Sequence, residues 1–398
     1  MKYVAILGYG TVGRGVEEIL RLNADEIARR TGEELEVRSI LVRRDVPDCP
    51  CRDKLVYDFS VIENDPEVSI VAECIGGVGA ALDYVRRALA AGKSVVTSNK
   101  ELVAAHGMEL AALAEEKGVD FLFEASVGGG IPALRPLSLC LTGNRIHEVL
   151  GIINGTTNYI LTDMRRNGTA FADSLAEAQR LGYAEADPTA DIEGLDAGRK
   201  ICILADLAFG KNVDPNAISV TGITGVAGED VAAAGALGYR IKLLGRAVRT
   251  GVDTAAAYVA PHLVPVDHGL AGVEGVTNAV VIRADAVGEV VLQGPGAGKL
   301  PTGSAVVGDV IEVAQHNGAR RHLRWEAAPE GYLTDPDTLS GRWYVRCTAS
   351  RECVAAAFGG VEFAPVEDCA FLTESITGEE LKKKAAELGV ICALRVLG

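Results

Sequence analysis

The sequence predicts an α/β protein whose first part is a doubly wound parallel sheet. Three observations carry this. Apolar, β-branched runs at residues 2–7, 35–42, 69–74, 94–97 and 119–123 alternate with helical stretches up to residue 124. That is the pattern of parallel strands joined by helical crossovers. The first run leads directly into Gly8-Tyr9-Gly10-Thr11-Val12-Gly13, where a helix opens. Beyond residue 131 strand-like runs and helices mix, which predicts a second, mixed α+β domain.

Composition narrows the function classes. A chain of 398 residues, 48% hydrophobic and 23% charged, is an ordinary globular length for two or three domains. A net charge of −15 argues against nucleic acid or an anionic membrane as partner. No apolar run reaches the ~18 residues of a spanning helix. The opening MKYVAILGYG reads as a strand and a glycine turn rather than a signal peptide. The nine cysteines are scattered, with no C-x-x-C. Reduced thiols in a cytoplasmic protein are expected.

A lone G-x-G-x-x-G is weak; a strand before it and an amphipathic helix after it (Val16, Ile19, Leu20, Ile27) strengthen it. Gly8 allows the tight turn, Gly10 lets backbone approach a pyrophosphate, and Gly13 lets helix pack on strand. Thr11 and Val12 open the helix whose free N–H groups meet the phosphates, as in a Rossmann-type domain. The strand at 35–42 ends in Arg43-Arg44, where an NAD site carries an acid. Two guanidiniums can instead pair with a 2′-phosphate, so the cofactor is read as NADP or NAD, with NADP slightly preferred. Residues 45–50 form a loop. The strand at 69–74 stops at Ile75-Gly76-Gly77, and a helix at 80–91 is closed by Gly92. The strand at 94–97 delivers Ser98-Asn99-Lys100 to its carboxyl end, where open α/β sheets bind ligands. A helix at 101–117 and the strand at 119–123 follow. Residues 124–132 (EASVGGGIP), with three glycines and a proline, form the crossover out of this domain.

In the second domain a strand at 149–153 precedes Asn154-Gly155-Thr156-Thr157-Asn158. The stretch from Gly182 to Lys200 then concentrates acids ahead of a lysine. Pro188 disfavours helix at Asp187, so the front half is read as a loop. From about Ile192 the run Ile192, Leu195, Ile201, Ile203, Leu204, Leu207 reads as a helix. Asp196 and Lys200, four apart, share a face. On a surface such a pair is worth about 0.3–0.5 kcal/mol. Here the helix beyond Lys200 is apolar almost all round, hence buried, and a buried lysine needs a partner or a task. Runs at 240–248, 255–259, 276–284 and 290–293 predict a mixed sheet with helices on one side, a surface on which a homodimer could form. Residues 294–302 are a second glycine loop opening a helix at 302–316, and 319–340 are a polar, turn-rich linker. The remainder reads βαββαβ at 343–348, 351–358, 361–366, 370–374, 378–388 and 390–396.

Residues 182–200 match at every position the homoserine dehydrogenase signature G-[YF]-A-E-x-D-P-x-x-D-x-x-G-x-D-x-x-x-K. The resemblance extends over roughly residues 1–320. Ser98-Asn99-Lys100 resembles T-[AS]-N-K, residues 154–158 resemble N-G-T-T-N, and residues 294–306 are similar to G-x-G-A-G-x-x-P-T-A-S-A-V, with Gly303 for the usual alanine. The resemblance implies reversible NAD(P)H-dependent reduction of the small-molecule substrate L-aspartate 4-semialdehyde to L-homoserine. By that likeness Lys200 donates and accepts the proton at the reacting oxygen, and Lys100 lies near the nicotinamide and substrate. Glu185 and Asp196 hold the substrate's amino group or its orientation, Asp191 steadies the lysine, and Thr156 lies beside the substrate. Gly182 and Gly298 lie near the cofactor. A monovalent cation, usually sodium, sits on the backbone oxygens of Glu124, Val127, Gly129 and Ile131.

The implied domains are an NAD(P)-binding domain at 1–130 completed by helix 302–316, a substrate and dimerisation domain at 131–300, the linker, and a module at 341–398. That module resembles an ACT-type domain, but Ala349-Ser350-Arg351 replaces the usual D-x-P-G turn. Packing or oligomerisation is therefore expected of it rather than amino-acid binding. Two competing readings are weaker. A non-catalytic NADP sensor has no reason to keep both lysines with Glu185 and Asp196. A thioester-forming dehydrogenase needs a cysteine with a histidine base, and neither Cys74 nor Cys140 has such a setting in the sequence.

Overall fold

The computed structural model describes residues 1–315 and 325–398. Residues 1–144, 206–214 and the described part of 294–327 form one compact unit; 145–205, 215–293 and 328–398 form another.

The first unit holds β1 (Lys2–Leu7), β2 (Leu35–Leu41), β3 (Leu55–Val56), β4 (Val68–Glu73), β5 (Ser94–Thr97) and β6 (Phe121–Leu122). They form one parallel sheet in the order β3-β2-β1-β4-β5-β6, the doubly wound topology expected. Val4 to Leu7 and Ile70 to Ala72 are fully buried, as strands covered on both faces must be. The strand order reverses between β1 and β4, so the ligand crevice lies beyond their carboxyl ends.

Local details differ from the sequence reading. The helix expected to run through Ile27 is two helices, Thr11–Leu22 and Ala24–Thr31, broken at Asn23. The strand at 119–123 shrinks to two residues. The helix Lys299–Gln315 packs on Thr11–Leu22. A Cβ at Gly303 would lie 2.8 Å from the carbonyl carbon of Gly15. The glycine that costs helix propensity by up to ~1 kcal/mol therefore admits a close helix–helix approach. The expected last residue of that helix, 316, and linker residues 319–324 lie outside the described residues; Glu326–Ala327 pairs with Lys211–Asn212.

The second unit is organised by a mixed sheet. Its strands are β7 (Ile146–Ile152), β8 (Ser219–Val220), β9 (Tyr239–Arg249), β10 (Ala255–Pro265), β11 (Thr277–Ala284), β12 (Gly288–Pro295), β13 (Trp343–Cys347), β14 (Val361–Phe363), β15 (Cys369–Thr373) and β16 (Val390–Val396). The order is β12-β11-β7-β9-β10-β16-β13-β15-β14, with β8 also on β10. β10 outruns the expected end at 259 and carries Pro261 inside it. On one edge β8 pairs with Tyr258 and Val259, and β16 with His262 and Leu263. Pro261 falls in the gap between them, where its missing N–H leaves no ladder bond unmade.

The carboxyl-terminal residues form βαββαβ as expected, but not as a separate sheet: β16 pairs parallel with β10. Buried Asp230, on helix Gly228–Ala236, receives Arg346 at 2.7 and 2.9 Å and the Tyr344 hydroxyl at 3.0 Å. That contact ties the last strands to the rest of the unit. Helices Gly155–Asn167, Phe171–Arg180 and Gly228–Ala236 were not anticipated. The segment read as a loop before Ile192 contains the short helix Thr189–Ile192, and the lysine helix begins at Leu195 rather than Ile192, after a left-handed Gly194 (φ 81°).

Candidate active site

In the first unit the glycine loop closes β1 against the helix Thr11–Leu22. Gly8 is left-handed at φ 89°. A Cβ at Gly13 would stand 2.0 Å from the Gly8 carbonyl oxygen, whereas one at Gly10 would meet nothing within 4 Å. Gly10 is the N-cap without a side-chain cap, and the first turn holds no acid. The open side at Gly10 and the uncapped helix start fit a dinucleotide phosphate. Arg43 and Arg44 are exposed just past β2, while nearby Arg14 is engaged by Asp48 at 2.8 Å and Arg52 by Asp45.

Across the crevice a residue that sequence reasoning missed organises the second edge. Glu73, fully buried at the end of β4, accepts from the Ile75 N–H at 2.7 Å, the Gly76 N–H at 3.2 Å and the Thr97 hydroxyl at 2.5 Å. Thr97 in turn accepts from the Asn99 N–H at 2.9 Å. Asn99 caps the helix Lys100–Lys117 and donates to Gly77 O at 2.6 Å. Half-buried Lys100 is the first residue of that helix. An acid closing an apolar strand was the available signal. Cys74 beside Glu73 has its thiol pushed well above the usual range by desolvation and the adjacent carboxylate. That is the opposite of what a thioester-forming nucleophile needs.

The loop at 124–131 was expected to present carbonyls to a cation. Glu124, Val127, Gly129 and Ile131 are all buried. Glu124 opens the 3-10 turn Glu124–Ser126, and among the described residues the carbonyls of Val127, Gly129 and Ile131 accept none of the loop or side-chain hydrogen bonds. A hard cation with oxygen ligands fits such a set. The Glu124 carboxylate is engaged elsewhere, accepting from the N–H groups of Leu134 (2.8 Å) and Arg135 (2.7 Å). Gly298, left-handed at φ 125°, is exposed and starts the turn into the helix Lys299–Gln315.

In the second unit the chemistry gathers at the end of β7. Lys200 is 9% exposed, and its ammonium donates to Asp196 Oδ2 at 2.7 Å and to Ile153 O at 2.8 Å. Asp191 was expected to steady the lysine; Asp196 makes the contact instead. Asp191 Oδ1 accepts from Asn154 Nδ2 at 2.7 Å, and the same amide donates to Asp196 Oδ2 at 2.9 Å. Burial raises the Asp191 carboxyl above its usual range and Asp196 adds to this, while Asn154 and Thr156 oppose it. The Thr156 hydroxyl donates to Tyr183 O at 2.7 Å. Glu185 is exposed, its backbone oxygen held by Gln179 at 3.0 Å. Gly182 is an exposed left-handed turn residue after helix Phe171–Arg180. The structure thus brings Asp191, Asp196, Lys200 and Thr156 to one place and leaves the Glu185 side chain at the surface of its loop. Asn154 was noticed only as part of a turn motif.

Residues 8–124 match the family model described as "Homoserine dehydrogenase, NAD binding domain", and residues 132–311 match "Homoserine dehydrogenase". The chain is 48% identical over 313 residues to the homoserine dehydrogenase of Pseudomonas aeruginosa, covering 78% of this chain and 72% of that one. A homoserine dehydrogenase crystal structure from Thiobacillus denitrificans superposes with a TM-score of 0.91 at 39% identity, covering 100% and 98% of the two chains. A hyperthermophilic archaeal homoserine dehydrogenase in complex with NADPH superposes with a TM-score of 0.67 at 29% identity, covering 83% and 100%.

Proposed function

The chain belongs to the homoserine dehydrogenase family, and from that premise we propose that Lys200 is the acid and base at the reacting oxygen. The reaction is the reversible reduction of aspartate 4-semialdehyde to homoserine with a nicotinamide cofactor. The single observation that carries the assignment is a buried ammonium with two fixed acceptors, Asp196 Oδ2 and Ile153 O, at the end of a strand.

A bound nicotinamide supplies or receives the hydride at the carbonyl carbon. In reduction the Lys200 ammonium gives a proton to the oxygen as its charge develops. In oxidation the neutral amine takes the hydroxyl proton. The two directions thus draw on opposite protonation states of the same nitrogen. Asp196 and Ile153 O aim the nitrogen. Glu185 and Asp191 offer carboxylates to the substrate ammonium, and Lys100 opens its helix beyond the carboxyl end of the strand Ser94–Thr97 in the first unit. Arg43 and Arg44 meet the 2′-phosphate of NADP. The carbonyls of Glu124, Val127, Gly129 and Ile131 would hold a monovalent cation such as sodium, which would supply positive charge to this loop. A second copy pairs with the second-unit sheet.

Purified protein assayed with homoserine and NAD or NADP in turn, with and without sodium at fixed ionic strength, tests the cofactor and cation assignments. Sedimentation tests the dimer. Lys200→Ala with near-normal kcat would remove the lysine from the mechanism.

A further inference from the structure

We propose that Asn154 is a positioning residue for the proton-transfer lysine, a reading that rests on the Lys200 assignment. Its carboxamide does two jobs at once. The oxygen faces its own helix: Asn154 Oδ1 accepts from the Thr157 N–H at 2.9 Å and the Thr157 hydroxyl at 3.0 Å, capping Gly155–Asn167. The nitrogen faces the acids: Nδ2 donates to Asp191 Oδ1 at 2.7 Å and Asp196 Oδ2 at 2.9 Å. Both amide hydrogens are therefore spent on carboxylates.

Two neighbouring carboxylates repel each other, and burial raises the cost. A double donor between them offsets this without adding charge. It also fixes which oxygen of Asp196 is presented, because the same Oδ2 receives Lys200 Nζ at 2.7 Å. The adjoining Ile153 carbonyl takes a second Lys200 hydrogen at 2.8 Å. Two consecutive residues at the end of β7 thus set the direction of the lysine, one directly and one through Asp196. Asn154 is 5% exposed, so no solvent contact accounts for its amide.

A helix cap alone does not need an amide, since Ser and Asp cap equally well. That separates the two jobs. Asn154→Ser keeps a cap and loses both donors. Asn154→Asp keeps a cap and sets a third carboxyl against the other two. Steady-state kinetics with homoserine and cofactor, pH–rate profiles and thermal unfolding are measured for both and for Lys200→Ala. The expected result for Asn154→Ser is a kcat lower by about 10- to 100-fold with KM within threefold and melting near that of the parent, about what a lost aiming contact costs. Asn154→Asp is expected to lose more, with its pH–rate profile displaced toward higher pH. Parental kcat in Asn154→Ser, or equal loss of kcat, KM and melting temperature in both variants with an unmoved pH profile, would overturn the proposal. Parental kcat in Lys200→Ala would instead overturn the lysine assignment itself.

Discussion

The cofactor edge of the first unit and the lysine cluster of the second are built from opposite materials. At the first, the proposed contacts lie in the backbone: a left-handed Gly8, a carbonyl that Gly13 lets approach, uncapped helix N–H groups and a row of buried loop carbonyls. At the second, the proposed roles lie in side chains: an ammonium, two carboxylates and the amide between them. The first should break when an atom is added, the second when a charge or donor is removed. Even the exception, Glu73, spends its carboxylate mainly on holding backbone N–H groups in place.

The largest expected effect is at the lysine. Lys200→Ala should lower kcat by about 10³-fold, in the range of a lost general acid–base, with little change in KM. Stopped-flow and steady-state rates measure it; an effect confined to KM would move proton transfer elsewhere.

The backbone side gives the next effect. In Gly13→Ala the added methyl would overlap the Gly8 carbonyl oxygen, forcing the loop open at about 1–3 kcal/mol. Cofactor KM should rise at least tenfold, and denaturant melts should shift, while the homoserine KM stays. If Gly13→Ala binds cofactor normally, the close contact is not what the loop depends on.

Arg43→Ala with Arg44→Ala tests the proposed side-chain contact to the cofactor. The double variant should weaken NADPH about tenfold, the worth of one charge-assisted contact, and leave NADH unchanged. Equal loss for both cofactors would remove the 2′-phosphate role.

The smallest effect concerns Asp309, behind the cation loop. Burial and neighbouring Glu124 push its carboxyl up to about 8, against the Glu124 N–H and Arg135. The folded protein thus holds a proton that the unfolded chain loses near pH 4. Stability from this group is present below pH 4 and falls as pH rises toward 8. Asp309→Asn should flatten that slope; melting temperatures from pH 5 to 8 decide it, and an unchanged slope would show the carboxyl is ionised in the fold.

Much of the fold was legible because strand–helix alternation and glycine spacing are local. Each apolar run of the first sheet had to be buried on both faces, and only Gly-x-Gly-x-x-Gly lets a strand turn that tightly into a helix. The expected run at 255–259 fell short of the full strand: Pro261 is tolerated inside it only because β8 and β16, arriving from elsewhere, leave it a gap. Gly303 gave no local reason for being glycine until Gly15 came against it.

At the site, the residue types and the i,i+4 spacing of Asp196 and Lys200 followed from the sequence alone. How the second acid, Asp191, joins that pair did not. Asp191 and Asp196 differ in the chain by five positions, but the fold separates them by the amide of Asn154, some forty residues earlier. Sequence sets what each group can donate or accept and which near neighbours share a face. Distant partners are chosen only when strand order and helix packing bring them within 3 Å, where hydrogen bonds become specific.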